Sequence, residues 1–110
     1  MDNRVIAVDF DGCLCGNQWP QIGEANMGAI HALIRLRNKG ARLILWTCRT
    51  GALLDEAVSW CKGHGLTFDA VNDNLAERIA QYGGDTRKVS ADEYWDDRAR
   101  IVKYGRGEAV

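Results

Sequence analysis

The apolar run Arg4-Val5-Ile6-Ala7-Val8 is rich in β-branched residues and breaks at Asp9-Phe10-Asp11-Gly12. It predicts a buried strand ending in a turn. Residues 12–25 carry Gly12, Gly16, Pro20 and Gly23 together with Asn17 and read as a loop. From about Asn26 the period becomes helical, with Met27, Ile30, Leu33 and Ile34 on one stripe. Arg35, Arg37 and Lys39 crowd its last turn, and Gly40 follows as a C-terminal cap. Arg42-Leu43-Ile44-Leu45-Trp46 predicts a second buried strand ending at Thr47. A second helix is expected from about Leu53 to Lys62, with Leu54, Ala57, Val58 and Cys61 on one face, ended by Gly63 and Gly65. Thr67–Val71 reads as a third strand. Asn74 with Glu77 three positions on has the capping-box arrangement, opening a helix striped by Leu75, Ile79 and Tyr82. Gly83-Gly84 breaks that helix. Glu93-Tyr94-Trp95 is a weak fourth strand running into Asp96-Asp97, and the segment from Arg100 to Val110 carries no signal.

Strands alternating with helices predict an α/β fold with a mostly parallel sheet and helices on both faces, because parallel neighbours need crossover connections. Ligands of such sheets bind beyond the carboxyl ends of the strands. The residues expected there are Asp9 and Asp11, Thr47, Asn72 and Asp73, and Asp96 and Asp97, with Lys88 in the loop before the last strand. At 110 residues, without repeats or linkers, the chain is expected to form a single domain over 1–110.

Charge narrows the function. Fourteen basic residues against fifteen acidic ones leave a formal net charge of −1, which argues against general binding of nucleic acid or an anionic membrane surface. No apolar run approaches a membrane span, and Met1-Asp2-Asn3-Arg4 lacks the apolar stretch of a signal peptide. Cys13, Cys15, Cys48 and Cys61 have neither zinc-site nor C-x-x-C spacing and read as free thiols of a cytoplasmic protein. His31 and His64 share no motif and read as structural or solvated.

With ten Asp in the chain, one D-x-D and one adjacent Asp pair are expected by chance, so position carries the information. Several carboxylates gathered at one rim repel one another and call for a cation, and oxygen ligands suit Mg²⁺. Phosphoryl chemistry then follows economically. One carboxylate acts as a nucleophile and a second, two residues on, works as a general acid and base. Thr47 offers a hydroxyl to phosphate oxygens and Lys88 a point charge. Taken singly, Thr47 is a strand-end hydroxyl and Lys88 a solvated loop lysine; the ordered set favours the chemical reading.

These residues resemble the haloacid dehalogenase (HAD) superfamily of phosphohydrolases. Its first motif would be Val5-Ile6-Ala7-Val8-Asp9-Phe10-Asp11-Gly12 and its second Leu43-Ile44-Leu45-Trp46-Thr47. Lys88 would be the third and Asp96-Asp97 the fourth, so that the likeness spans about residues 4–99. The resemblance implies a three-layer Rossmann-like core and a Mg²⁺-dependent phosphomonoesterase. Asp9 would be the nucleophile and a metal ligand. Asp11 would be the general acid/base and a metal ligand through its backbone carbonyl. Thr47, Cys48, Arg49 and Lys88 would bind the phosphorylated substrate, and Asp96 or Asp97 would complete the metal site. Cys13 stands where many members have Thr or Val, and Arg87 competes with Lys88 as the third-motif cation. Trp46-Thr47-Cys48-Arg49 and Asp96-Asp97-Arg98-Ala99 are similar to a subgroup of short HAD proteins from bacteria and phages.

The fourteen or so residues between Asp11 and the first helix are too few for the cap domain that usually sets HAD specificity. A capless site is therefore expected, open to a bulky substrate or closed over a small one by a second subunit of a homo-oligomer or by the 12–25 loop. In that loop Trp19 and Pro20 are candidates for a lid edge. Trp46 and Trp95 read first as packing residues. Arg49 and Arg98 either grip a second anionic group or pair with nearby carboxylates. Rival readings are a catalytically silent HAD-fold binding module and a phospho-receiver domain, although the latter lacks an acceptor Asp at the end of its third strand. A dinucleotide-binding domain is excluded by the missing G-x-G-x-x-G after the first strand.

Overall fold

Val5, Ile6, Ala7 and Val8 are all fully buried, as a strand must be when both faces of its sheet are covered. In the computed structural model, which describes residues 1–105, this segment is β1 (Val5–Val8); the last five residues of the expected 1–110 domain lie outside the described ones. There follow β2 (Cys15–Gln18), β3 (Gln21–Ala25), α1 (Met27–Asn38), β4 (Arg42–Leu45) and α2 (Gly51–Gly63). β5 (Ala70–Val71), α3 (Ala76–Tyr82) and β6 (Glu93–Trp95) complete the order. The main sheet runs β5-β4-β1-β6 with every pair parallel. This is the expected mixed α/β architecture.

The two-residue period of the strands sorts the core. Ile6, Val8, Leu43 and Leu45 face Ile30 and Leu33 of α1 and Ala57 and Cys61 of α2. Val5, Ala7 and Ile44 face the other way, onto Leu75 at the start of α3 and Val89. The second layer is thin: α3 itself buries no residue. On the thick side, the Asn26 side chain caps α1 by accepting from the Ala29 N–H at 3.4 Å and donates to the Cys13 carbonyl at 2.9 Å.

Three local expectations are corrected. First, residues 12–25 are not a loop. They contain an antiparallel hairpin of β2 and β3 with a bulge between Cys15 and Asn17. Apolar alternation is absent because backbone makes the contact: a Cβ on Gly23 would lie 2.2 Å from the Gly16 carbonyl oxygen. Second, the third strand shrinks from Thr67–Val71 to Ala70–Val71. Asp69 ends the ladder early, since its carboxylate accepts from the Leu43 N–H at 2.8 Å and pairs with Arg37 at 3.1 Å. Third, no capping box forms. The N-cap of α3 is Leu75, and Glu77 pairs with Arg42. Asn74 is buried and pins the following loop instead, donating to Asp85 Oδ1 at 3.0 Å and the Thr86 carbonyl at 2.9 Å and accepting from the Ser90 N–H at 2.6 Å.

Replacing Asn74 by Ala removes all three bonds and leaves the Ser90 N–H without its acceptor. The expected loss is about 1–3 kcal/mol, read as a lower urea midpoint at unchanged slope. An unchanged midpoint would mean that the 85–90 loop is held by its apolar contacts alone.

Candidate functional site

In the parallel register Val8 stands level with Leu45 and Trp95, and Leu45 with Val71. The next residue on each strand is therefore Asp9, Trp46, Asp96 or Asn72, at one edge of the sheet. The Asp9 N–H donates to the Trp95 carbonyl at 2.9 Å and the Trp46 N–H to the Val8 carbonyl at 2.8 Å, which carries the ladder to the edge itself. Asp9, Asp96 and Asp97 each bring a carboxylate oxygen within 4.8 Å of the others. Gly12 makes this close approach feasible. A Cβ there would meet the Asp97 carboxylate at 2.4 Å, and its φ of +83° suits glycine.

Charge compensation separates these clustered carboxylates from the aspartates that brace the strands. Asp2, Asp69 and Asp92 pair with Arg4, Arg37 and Arg78, and Asp11 with Arg49. Among the described residues, no ion pair reaches Asp9, Asp96 or Asp97. Burial pushes the Asp9 carboxyl up to about 6, with Asp96 and Asp97 adding repulsion, although the Phe10 N–H donates to it at 2.8 Å. Burial likewise raises the neighbouring Cys13 thiol to about 12. An all-carboxylate group of this kind has the donors for a hard divalent cation.

A cleft of about 570 Å³ opens over Asp9 and Asp96 of the triad. Its walls are Asp9, Asp11 and Asp96, the loop Trp46-Thr47-Cys48, Arg98, and Asn17 and Trp19 from the hairpin. The loop has a defined form. The Thr47 N–H donates to Asn72 Oδ1 at 2.8 Å, the Arg49 N–H donates to the Thr47 hydroxyl at 3.2 Å, and Asn72 Nδ2 donates to the Arg49 carbonyl at 3.4 Å. Asn72 adopts a left-handed φ of 53° to make these bonds, a conformation that Asn tolerates better than most residues. Helix α2 begins just beyond, with no acidic residue in its first turn and no side-chain bond from its N-cap Thr50, so its positive end is not neutralised locally.

Sequence-predicted site residues thus divide. Asp9, Asp11, Thr47, Cys48 and Asp96 share the cleft wall, and Asp97 stands in the carboxylate triad. Arg49 does not face a ligand. It is 1% exposed, and its guanidinium is engaged by Asp11 and by the carbonyls of Pro20 and Gln21. Lys88, expected as the cation of the site, is exposed with its ammonium 5.1 Å from the centre of the Tyr94 ring and is not on the cleft wall. Arg87 lines a neighbouring hollow with Thr86, Asn72 and Asp73, on the other side of Trp46. The cation on the wall is Arg98. Asn17 was hidden in what read as loop. A separate hollow of about 710 Å³ between the first four residues and 37–40 gathers no carboxylate cluster.

The structure of a conserved protein coded by a locus from Bacteroides thetaiotaomicron is similar to this chain, with 43% identity and a TM-score of 0.79. The alignment covers 89% of this chain and 78% of that one. At that identity and coverage this chain belongs to the same family as that conserved protein. No family model and no curated protein matches the sequence.

The Asp9 carboxyl titrates near 6 in the folded protein against an ordinary 3.8, so the native state holds the proton more tightly. Its contribution to stability is complete below about pH 4 and lost as the pH rises through 6. Asp9→Asn is therefore expected to be more stable than the parent above pH 7 without divalent cation, by about 1 kcal/mol after solvent screening of a half-open site. The difference vanishes at pH 4. Urea midpoints of the two proteins at pH 4 and pH 8 decide it, and a parent as stable as the variant at pH 8 would show that burial and its acidic neighbours do not disfavour the charged Asp9.

Proposed function

We propose that the protein is a Mg²⁺-dependent phosphomonoester hydrolase that works through an aspartyl-phosphate on Asp9. One observation carries this reading. Three carboxylates without basic partners converge at the carboxyl edge of a parallel sheet, and two of them, Asp9 and Asp96, line a cleft with Asp11 and Thr47. The resemblance of the sequence to HAD phosphohydrolases supports it.

Bound to Asp9, Asp96 and Asp97, with the Asp11 carbonyl as the resemblance implies, Mg²⁺ would offset the repulsion between these carboxylates and an incoming phosphate. In the first half-reaction an Asp9 oxygen attacks phosphorus, the bond to the ester oxygen breaks, and the departing oxygen takes a proton from Asp11, which carries that proton into the reaction on one oxygen while Arg49 holds the other. In the second, the Asp11 carboxylate takes a proton from water, the water oxygen attacks phosphorus, and the bond to Asp9 breaks. Inorganic phosphate leaves and both carboxyl groups return to their starting states. Thr47, whose hydroxyl proton remains free to donate, binds a non-bridging oxygen, with Cys48 beside it. Arg98 supplies the cationic wall, the part assigned to Lys88 in the sequence reading; Lys88 reaches phosphate only if the 85–90 loop moves. Asn17 and Trp19 stand where a cap would otherwise close the site, so the hairpin, rather than a second subunit, narrows it over the substrate.

Among the described residues no helix is long and apolar enough to cross a membrane. All four cysteines are free, in keeping with a reducing compartment such as the cytoplasm.

Hydrolysis of 4-nitrophenyl phosphate at neutral pH tests the proposal. Turnover is expected to require Mg²⁺, to disappear in Asp9→Asn, and to fall at least about tenfold in Thr47→Val, which removes one donor to the phosphate. Turnover that persists in Asp9→Asn would rule the mechanism out. Binding of phosphate esters and Mg²⁺ without turnover would instead favour a catalytically silent module.

A further inference from the structure

A fully buried arginine lies one step behind the cleft. Arg49 is 1% exposed. Its Nε and Nη2 donate to the two oxygens of Asp11 at 2.9 and 2.8 Å, a bidentate pair. Nη1 donates to the Pro20 carbonyl at 3.1 Å and Nη2 also to the Gln21 carbonyl at 3.0 Å, both at the turn of the β2–β3 hairpin. The guanidinium stacks on the Phe10 ring at 5.1 Å, and its own backbone is bonded to Thr47 and Asn72.

We propose that Arg49 is the positioning residue of the site: one buried guanidinium fixes the Asp11 carboxylate and the hairpin carrying Asn17 and Trp19 as a single wall. This rests on the reading of Asp11 as the acid/base above. The base of the hairpin is anchored, with Cys15 bridged to Asp11 and Ile22 and Ala25 resting against the core. Its turn is exposed, its strands form no ladder with the main sheet, and the turn carbonyls of Pro20 and Gln21 are what Arg49 holds. A buried Arg must find acceptors for its donors, and here they come from two separate segments. Displacing the hairpin turn therefore strips two acceptors from the group that orients Asp11. Displacing Asp11 leaves the charge that holds the hairpin without its counter-ion. The two move together or not at all.

Lysine keeps the charge but cannot present the planar fork to Asp11 and two carbonyls at once. In Arg49→Lys the loosened hairpin is expected to raise KM at least threefold for both 4-nitrophenyl phosphate and ethyl phosphate. A misplaced Asp11 lowers kcat on ethyl phosphate, whose leaving oxygen needs a proton, about tenfold more than on 4-nitrophenyl phosphate, whose leaving group hardly does. Equal falls in kcat with unchanged KM, or no change at all, would overturn the proposal.

Amide hydrogen exchange gives an answer free of turnover. In Asp11→Asn, where the charge of the pair is removed outside the hairpin, protection of the β2–β3 amides is expected to drop about tenfold while that of the β1–β4 ladder is unchanged. Unchanged hairpin protection would overturn the proposal even if Arg49→Lys fails to fold. If 4-nitrophenyl phosphate is hydrolysed equally by Asp9→Asn, the functional reading fails on its own, and the exchange result still decides what Arg49 holds.

Discussion

Strand β1 has parallel neighbours on both sides, and the register that sets Val8 beside Leu45 and Trp95 places everything chemical at one edge. Parallel strands end together, so the residues that follow them are gathered without any further device. Asp9 and Asp96 are brought to the same height by the same ladder bonds that hold the core. The buried run of β1 is therefore a condition of the site as well as of the fold. Any slip of one residue against β4 would turn Leu43 and Leu45 from the thick helical layer to the thin one and carry Thr47 away from Asp9.

The opposite edge shows what a purely structural use of aspartate looks like. There Asp92 accepts from the Val5 N–H and pairs with Arg78, and Asp69 does the same for Leu43 with Arg37. Each carboxylate closes the start of a strand and has its own arginine. At the carboxyl edge the supply of arginine stops short of Asp9, Asp96 and Asp97. Compact chains seldom leave three acidic groups together without compensation, because repulsion at close range works against folding. A divalent cation, as proposed above, would supply that compensation, and Asp9, whose carboxyl is raised first by burial and then by its acidic neighbours, is where it would act most strongly.

Much of this was legible in the sequence, for a physical reason. β1 and β4 are β-branched or leucine-rich runs bounded by polar residues, and α1 and α2 carry apolar stripes, so the periodicity named them and the parallel rule then named their carboxyl ends. What stayed hidden was held by backbone or by single polar side chains. The Gly16–Gly23 contact shapes the hairpin with no apolar pattern to betray it. Asn74 has the spacing of a helix cap, and its alternative partners, Asp85, Thr86 and Ser90, lie beyond the helix. Sequence places Lys88 before the last strand, where a site cation was expected, but cannot show that its side chain turns to Tyr94. Arg49 stands two residues after Thr47, the proposed phosphate ligand, and shares its loop; only its burial reveals an inward role.

That inward role bears on how a small domain makes do without a cap. A separate cap domain brings its own core and can open and close as a body. A hairpin of about ten residues has no core of its own: its base rests on the domain core through Cys15, Ile22 and Ala25, while its turn is exposed. It becomes a wall only if something fixes its orientation to the sheet. Apolar packing against the hairpin turn would fix it, but would place a dry surface beside a highly charged cleft. A buried guanidinium meets both demands, since its face rests on Phe10 while its edge binds one carboxylate and two carbonyls. The same arrangement makes Asp11 dependent on the hairpin, so that the residue assigned to proton transfer and the wall assigned to substrate confinement cannot be altered independently.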